Sequence, residues 1–188
     1  LSEDTCSRLS PHFTYGSVSI RQVYQQLNNL LPSLNNKKDL YSFKKRLYWH
    51  CHFVPKLHTE PDLEFNSMHR MCDDLRPEYD DEMIEKWKNA KTGFPFLDAC
   101  IKFLRINGWI NFRMRAMIMS FASYNLWQPW QKTSPLLAEL FTDYEPGIHI
   151  SQVQMQSGVT GINLPRIYSV TKQSMDQDPN ADWIKCLI

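Results

Sequence analysis

The 188-residue chain sets 21 Lys and Arg against 20 Asp and Glu, a formal net charge of +1, so any basic surface for nucleic acid has to be local. A hydrophobic content of 43% and a charged content of 22% are those of a globular domain with a real core rather than a disordered or membrane-spanning chain. The five cysteines (Cys6, Cys51, Cys72, Cys100 and Cys186) form no CxxC pair, which argues against a disulfide framework or a zinc or iron–sulfur site and for a reducing compartment.

The predicted elements are almost all helical. The stretch Ser17-Val18-Ser19-Ile20-Arg21-Gln22-Val23 begins a helix with a Ser cap and with Val23, Leu27, Leu30 and Leu31 at apolar spacing. Leu40 to Phe53 forms another, with Leu40, Phe43, Leu47 and Val54 on one side and Arg46, Trp49, His50 and Phe53 on the other. Asp81 to Lys88 is a short, acidic-start helix carrying Trp87, broken by Lys91-Thr92-Gly93-Phe94-Pro95. Phe96 to Ile106 returns to helical spacing and stops at Asn107-Gly108; Trp109 to Leu126 and Ser134 to Phe141 follow. Asp143 to Gln156, with Pro146 and Gly147, reads as a loop leading to a short segment. Val159 to Pro179 reads as a turn-rich tail, and Asp178 to Leu187 as a last short helix. Sustained strand alternation is missing throughout, so the expected class is all-α.

Three constellations carry chemistry. Thr5-Cys6-Ser7-Arg8-Leu9-Ser10-Pro11 clusters hydroxyls, N–H groups and an Arg, as a phosphate cradle does and as an ordinary helix start also does. Arg113 and Arg115 interrupt an apolar run; two residues apart on a helix, they point about 200° apart and cannot share a partner. Arg115 with the loop Asp143-Tyr144-Glu145 fits a buried ion pair, either structural or aimed at a ligand's polar edge. Arg46, Trp49, His50 and Phe53, beside Lys44, Lys45 and Lys56, interleave charge and rings as single-stranded or flipped nucleotides require, or form an ordinary amphipathic face. His50 and His52 lack the i, i+4 spacing of a helical chelate, so no metal is expected there. The 13% aromatic content suits a large core or a site for flat rings.

Taken in order, Ser7 to Gly16, Arg46-Leu47-Tyr48-Trp49-His50, Trp87 with Lys91 to Ala99, Gly108-Trp109 through Arg115, and Asp143-Tyr144-Glu145 resemble the helical FAD-binding domain of the photolyase/cryptochrome flavoproteins. The likeness runs over nearly the whole chain in the family's order and spacing. It implies one multi-helical FAD-binding domain over residues 1–188, the second part of a longer protein whose N-terminal antenna domain lies outside this chain. The absence of Met at Leu1 fits that expectation.

The resemblance also implies roles. Cys6, Ser7, Arg8, Leu9 and Ser10 fall where the family grips the FAD diphosphate, with Cys6 in place of the usual first hydroxyl residue. Trp109 falls beside the flavin, and Arg115 pairs with Asp143 near flavin N5. Glu145 faces the ring edge or the ribityl side, and His149 stands at N5, where repair enzymes commonly carry Asn. The flavin-proximal Trp of the usual electron-transfer chain aligns with Val153, which cannot be oxidised, leaving Trp109, Trp130 and Trp87 as the expected catalytic indoles. On the substrate side Arg46 replaces a usual Glu and Phe112 a usual Asn, while Trp49 stacks on the lesion beside His50 and Arg113 faces DNA. The implied activity is blue-light repair of pyrimidine dimers in DNA by electron transfer from excited reduced FAD, in the cytoplasm or a eukaryotic nucleus or organelle. The alternative is a cryptochrome-type photosensor that uses the same FAD without repair.

Overall fold

Short side-chain caps set several of the helix starts. In the computed structural model, which describes residues 6–33, 37–162 and 164–187, ten α-helices and no strand are found among the described residues. Thr5 of the expected phosphate cradle lies outside them. A five-residue helix, α1 (Ser10–Thr14), precedes α2 (Ile20–Leu30). The Ser cap of α2 is Ser19; its hydroxyl accepts from the Gln22 N–H while the Gln22 side chain accepts from the Ser19 N–H. The long α3 (Lys38–Thr59) runs past the predicted end and tolerates Pro55 near its last turn.

Asp80 caps α4 (Asp81–Lys88). Asp98, buried in the first turn of α5 (Pro95–Asn107), accepts from the Thr92 and Gly93 N–H groups and the Thr92 hydroxyl, which folds the Lys91–Pro95 break back onto the helix. Gly108 ends α5 in the left-handed region at φ 64°, where a side chain would also run into Thr142.

Four expectations need correction. The helix predicted from Trp109 starts at Phe112, because the Asn111 side chain caps it through the Met114 N–H; Trp109 and Ile110 precede α6 (Phe112–Ser120), which continues into a π-helical turn over Phe121–Asn125. The next helix, α7 (Trp130–Ala138), starts earlier than Ser134 and holds Pro135 in its interior. The supposed loop at Asp143–Gln156 is mostly helix, α8 (Pro146–Ser157), with Pro146 in its first turn and Glu145 accepting from the Gly147 N–H. The turn-rich tail likewise contains α9 (Val170–Gln177), capped by Ser169, before α10 (Asp182–Leu187).

Helix α8 lies at the centre, packed by α3, α6 and α7; α6 leans on α5, which carries α9 and α10 on its far side, and α2 rests on α3. Leu97, Cys100, Met117 and Ile118 are fully buried where α5 meets α6. Buried Arg76 donates to the Ser123 carbonyl (2.8 Å) and the Ser157 carbonyl (3.2 Å), tying the π-helical turn to the end of α8. Burial lowers the Arg76 pKa, and the carbonyl dipoles at these helix ends help hold its charge.

Gly147 explains the close approach of α8 to α3. A Cβ there would lie 2.7 Å from Val54 Cα and 3.0 Å from the Phe53 and Val54 carbonyl oxygens, all backbone atoms. Gly147→Ala is therefore expected to destabilise the protein by about 1–3 kcal/mol in denaturant unfolding, against the small gain that Ala otherwise brings within a helix. An unchanged midpoint would mean that α8 can slide on α3.

Candidate cofactor and nucleic-acid site

The start of α6 organises the site. The Thr142 N–H and hydroxyl both donate to the Gly108 carbonyl (2.8 and 3.0 Å), so the loop after α7 is pinned beside the Gly108–Asn111 link. That pin brings Asp143 to Arg115. Nη1 and Nη2 of Arg115 donate to Oδ1 and Oδ2 of Asp143 at 2.9 and 2.8 Å, a two-pronged pair, and Nε donates to the Ile110 carbonyl at 2.6 Å. The Asp143 side chain is 3% exposed and that of Arg115 25%, so Arg115 points inward and does not snorkel to solvent. Its guanidinium also lies 4.3 Å from the Phe141 ring centre. Arg113, on the opposite side of the helix, is exposed.

Trp109 stands at the mouth of this arrangement. Its indole N–H donates to the Ser10 hydroxyl (3.2 Å), and the Arg8 and Arg115 guanidiniums lie 4.9 and 5.9 Å from its ring centre. The segment Cys6 to Ser10 thereby sits beside Trp109, with Cys6, Ser7 and Arg8 exposed and Leu9 and Ser10 half-buried. Arg8 adopts a left-handed backbone, φ 52°.

His149, one turn into α8, is buried, with its Nε2 3.1 Å from the Ser134 carbonyl oxygen and 3.0 Å from the Ser134 hydroxyl. A carbonyl oxygen only accepts, so Nε2 carries the proton and Nδ1 is the free acceptor. Burial lowers the His149 pKa to about 4; the Ser134 carbonyl opposes that shift, Arg115 adds to it and Asp143 works against it. The titratable group expected at this position is consequently a neutral imidazole near pH 7.

The outer surface is built by α3 and the first residue of α6. Trp49 is half-exposed and stacks on buried Phe53, ring centres 5.6 Å apart and planes at 21°, with His52 edge-on to both. Arg46 reaches over the half-exposed Phe112 ring at 5.8 Å. His50 is half-buried and edge-on to Phe13 of α1; burial lowers its pKa, opposed by the Glu145 charge. His50, Glu145 and α1 thus lie together between the inner and outer groups.

Two of the expected indoles sit elsewhere. Trp87 and Trp130 are in the core, donating to the Ile118 carbonyl (3.3 Å) and the Ser67 hydroxyl (3.2 Å), and Val153 is buried with them. Three residues without an assigned role in the sequence reading belong to the site: Phe13 against His50, Phe141 against Arg115, and Ser134 on His149. Phe13 falls inside a quoted motif; Phe141 and Ser134 look like ordinary helix residues, with nothing in their neighbours to mark them. Among the described residues, no group of three or more His, Cys, Asp and Glu could hold a metal ion, and no helix is long and apolar enough to cross a membrane.

A family model described as the FAD binding domain of DNA photolyase matches residues 43–188. The chain belongs to that family. A deoxyribodipyrimidine photo-lyase of Alkalihalophilus pseudofirmus is 30% identical over 187 residues, 97% of this chain and 38% of that protein. Cryptochrome-1 of Mus musculus is 26% identical over 180 residues, 94% of this chain and 30% of that protein. Among solved structures, an archaeal photolyase from Sulfolobus tokodaii with two FAD molecules superposes with a TM-score of 0.86 at 27% identity, covering 96% of this chain and 40% of that one. A Synechocystis cryptochrome superposes at 0.89 with 22% identity, a likeness of fold. The chain thus spans well under half the length of the photolyases and cryptochromes it matches, and its helices are those of their FAD-binding domain.

Proposed function

We propose that this domain holds FAD for blue-light repair of pyrimidine dimers in DNA. The observation that carries the reading is the division at the start of α6: Arg115 turns inward to Asp143, whereas Arg113 is exposed and its neighbour Phe112 lies under the Arg46 guanidinium of α3. The donor set fits the cofactor. Arg8 with the Ser7 and Ser10 hydroxyls and the backbone of Cys6 and Leu9 would hold the diphosphate, and Arg115, Asp143, Glu145, His149 and Trp109 would meet the flavin and ribityl groups. Bound and reduced, FAD supplies a one-electron donor that light can excite.

The protein's share is binding, orientation and electrostatics. The Arg115–Asp143 pair presents a charged edge of fixed geometry, and His149 presents a neutral Nδ1 acceptor near it. Trp49 offers a ring face on which a flipped lesion stacks, with Arg46, His50 and Phe112 around it and Arg113 meeting phosphate. Trp87 and Trp130 are the electron-relay indoles of this reading, since both have neutral hydrogen-bond partners and neither has a cation on its ring among the described residues. A reducing compartment, the cytoplasm or a eukaryotic nucleus or organelle, belongs to the same proposal.

A photosensor is the second reading, favoured by the Arg46 guanidinium over the Phe112 ring, which puts a cation and an apolar face where the resemblance implies a carboxylate and an amide. The purified protein should take up FAD and show a flavin absorption spectrum; a protein that stays colourless with added FAD overturns both readings. Illumination of the reduced protein with dimer-containing DNA should restore intact pyrimidines, whereas FAD binding without restoration selects the photosensor. Arg113→Ala should weaken damaged-DNA binding about tenfold and lower the salt slope by about one, with flavin content unchanged.

A further inference from the structure

We infer that Trp109 is a positioning residue for the diphosphate-gripping segment and not an electron donor, the grip itself resting on the FAD reading above. The segment is poorly self-supporting. Helix α1 has five residues, buries none of them, and its first-turn N–H groups receive no side-chain cap from Leu9. Arg8 departs from the ordinary backbone regions at φ 52°, a conformation a non-glycine residue keeps only when its surroundings hold it.

Trp109 is part of those surroundings. Its ring carries the Arg8 guanidinium at 4.9 Å, and its N–H fixes the Ser10 hydroxyl at 3.2 Å from the other end of the segment. The indole therefore spans residues 8 to 10 and sets where a guanidinium and a hydroxyl, the two donor types a phosphate needs, stand relative to each other. The N–H bond takes only an acceptor lone pair of Ser10, so the Ser10 O–H stays available to donate. Trp109 is itself held by Gly108 and Asn111 on the body of the protein, which makes it a fixed strut for a segment without its own core.

The same geometry makes Trp109 a poor source of electrons. Loss of one electron leaves a cation on the indole 4.9 Å from the Arg8 guanidinium, which disfavours that loss, while the Arg115 guanidinium at 5.9 Å is offset by Asp143. Trp87 and Trp130 face a carbonyl and a hydroxyl instead.

The test uses Trp109→Leu, which removes ring and N–H, and Trp109→Phe, which keeps a ring face for Arg8 but loses the N–H. With FAD and riboflavin as probes, Trp109→Leu should weaken FAD binding about tenfold more than it weakens riboflavin, which shares the flavin contact but has no phosphate. Trp109→Phe should fall between wild type and Leu for FAD. In the cofactor-free protein, tryptic cleavage after Arg8 should be about tenfold faster in the Leu variant. Light-driven flavin reduction should survive in Trp109→Phe. Equal losses for FAD and riboflavin, an unchanged tryptic rate, or loss of photoreduction in the Phe variant would each overturn the inference. Failure of the wild type to bind FAD would instead overturn the flavin reading, and the tryptic rate still decides whether Trp109 holds the segment.

Discussion

Arg115→Leu is expected to destabilise the protein by about 4 kcal/mol near neutral pH, and Asp143→Asn by about half as much. The asymmetry follows from exposure. Without Arg115, a carboxylate whose side chain is 3% exposed keeps its charge with no cation on it. Without the Asp143 charge, a guanidinium that is one quarter exposed keeps water on one side and its 2.6 Å bond to the Ile110 carbonyl. Denaturant unfolding at pH 7 reads both values. The double variant Arg115→Leu/Asp143→Leu should cost less than the sum of the singles, because two apolar groups leave no buried charge unpaired. Equal costs for the two single variants would mean that the pair is solvated in solution.

Acidification from pH 6.5 to about 4 should remove roughly 3 kcal/mol of stability through His149 alone. Its pKa is about 4 in the folded protein against 6.5 for an ordinary imidazole, chiefly because burial disfavours the cation. Between these values the unfolded chain binds the proton and the folded protein does not, so stability rises with pH: it is complete above about 6.5 and lost as pH falls towards 4. Carboxylates titrate over part of the same range, so the measurement is the difference in pH dependence between wild type and His149→Gln. A flat difference would sink the assignment. The two sites are linked, since Arg115 is one of the charges holding the His149 pKa down; in Arg115→Leu the acid loss from His149 should end at higher pH and be smaller in total.

Much of the helical layout is written in short stretches of chain. Asp80 before α4, Asn111 before α6 and Ser169 before α9 accept from N–H groups three residues on, and Gly108 stops α5 by taking a left-handed turn. Such signals depend on neighbours alone, and where the reading erred, a local signal had two meanings. Pro146-Gly147 is a loop signature, but Pro suits a first helical turn and Gly147 is needed because the α3 backbone leaves no room for a Cβ. Trp109 has the apolar character of a first helical residue, but Asn111, two residues later, supplies the cap, so the helix starts after it.

By itself the sequence determined an all-α chain, the opposed directions of Arg113 and Arg115 on one helix, and, through five ordered motifs, the family. Only the tertiary structure decided which groups meet: Arg115 with Asp143 across 28 residues, His149 with Ser134 across 15, and Trp109 with Ser10 across 99. It also decided that His149 is neutral near pH 7 and that Trp109 is flanked by two cations. The reason is physical. Helix starts and stops are satisfied by hydrogen bonds within a few residues, whereas charge, tautomer and strain depend on desolvation and on partners that only packing brings into reach.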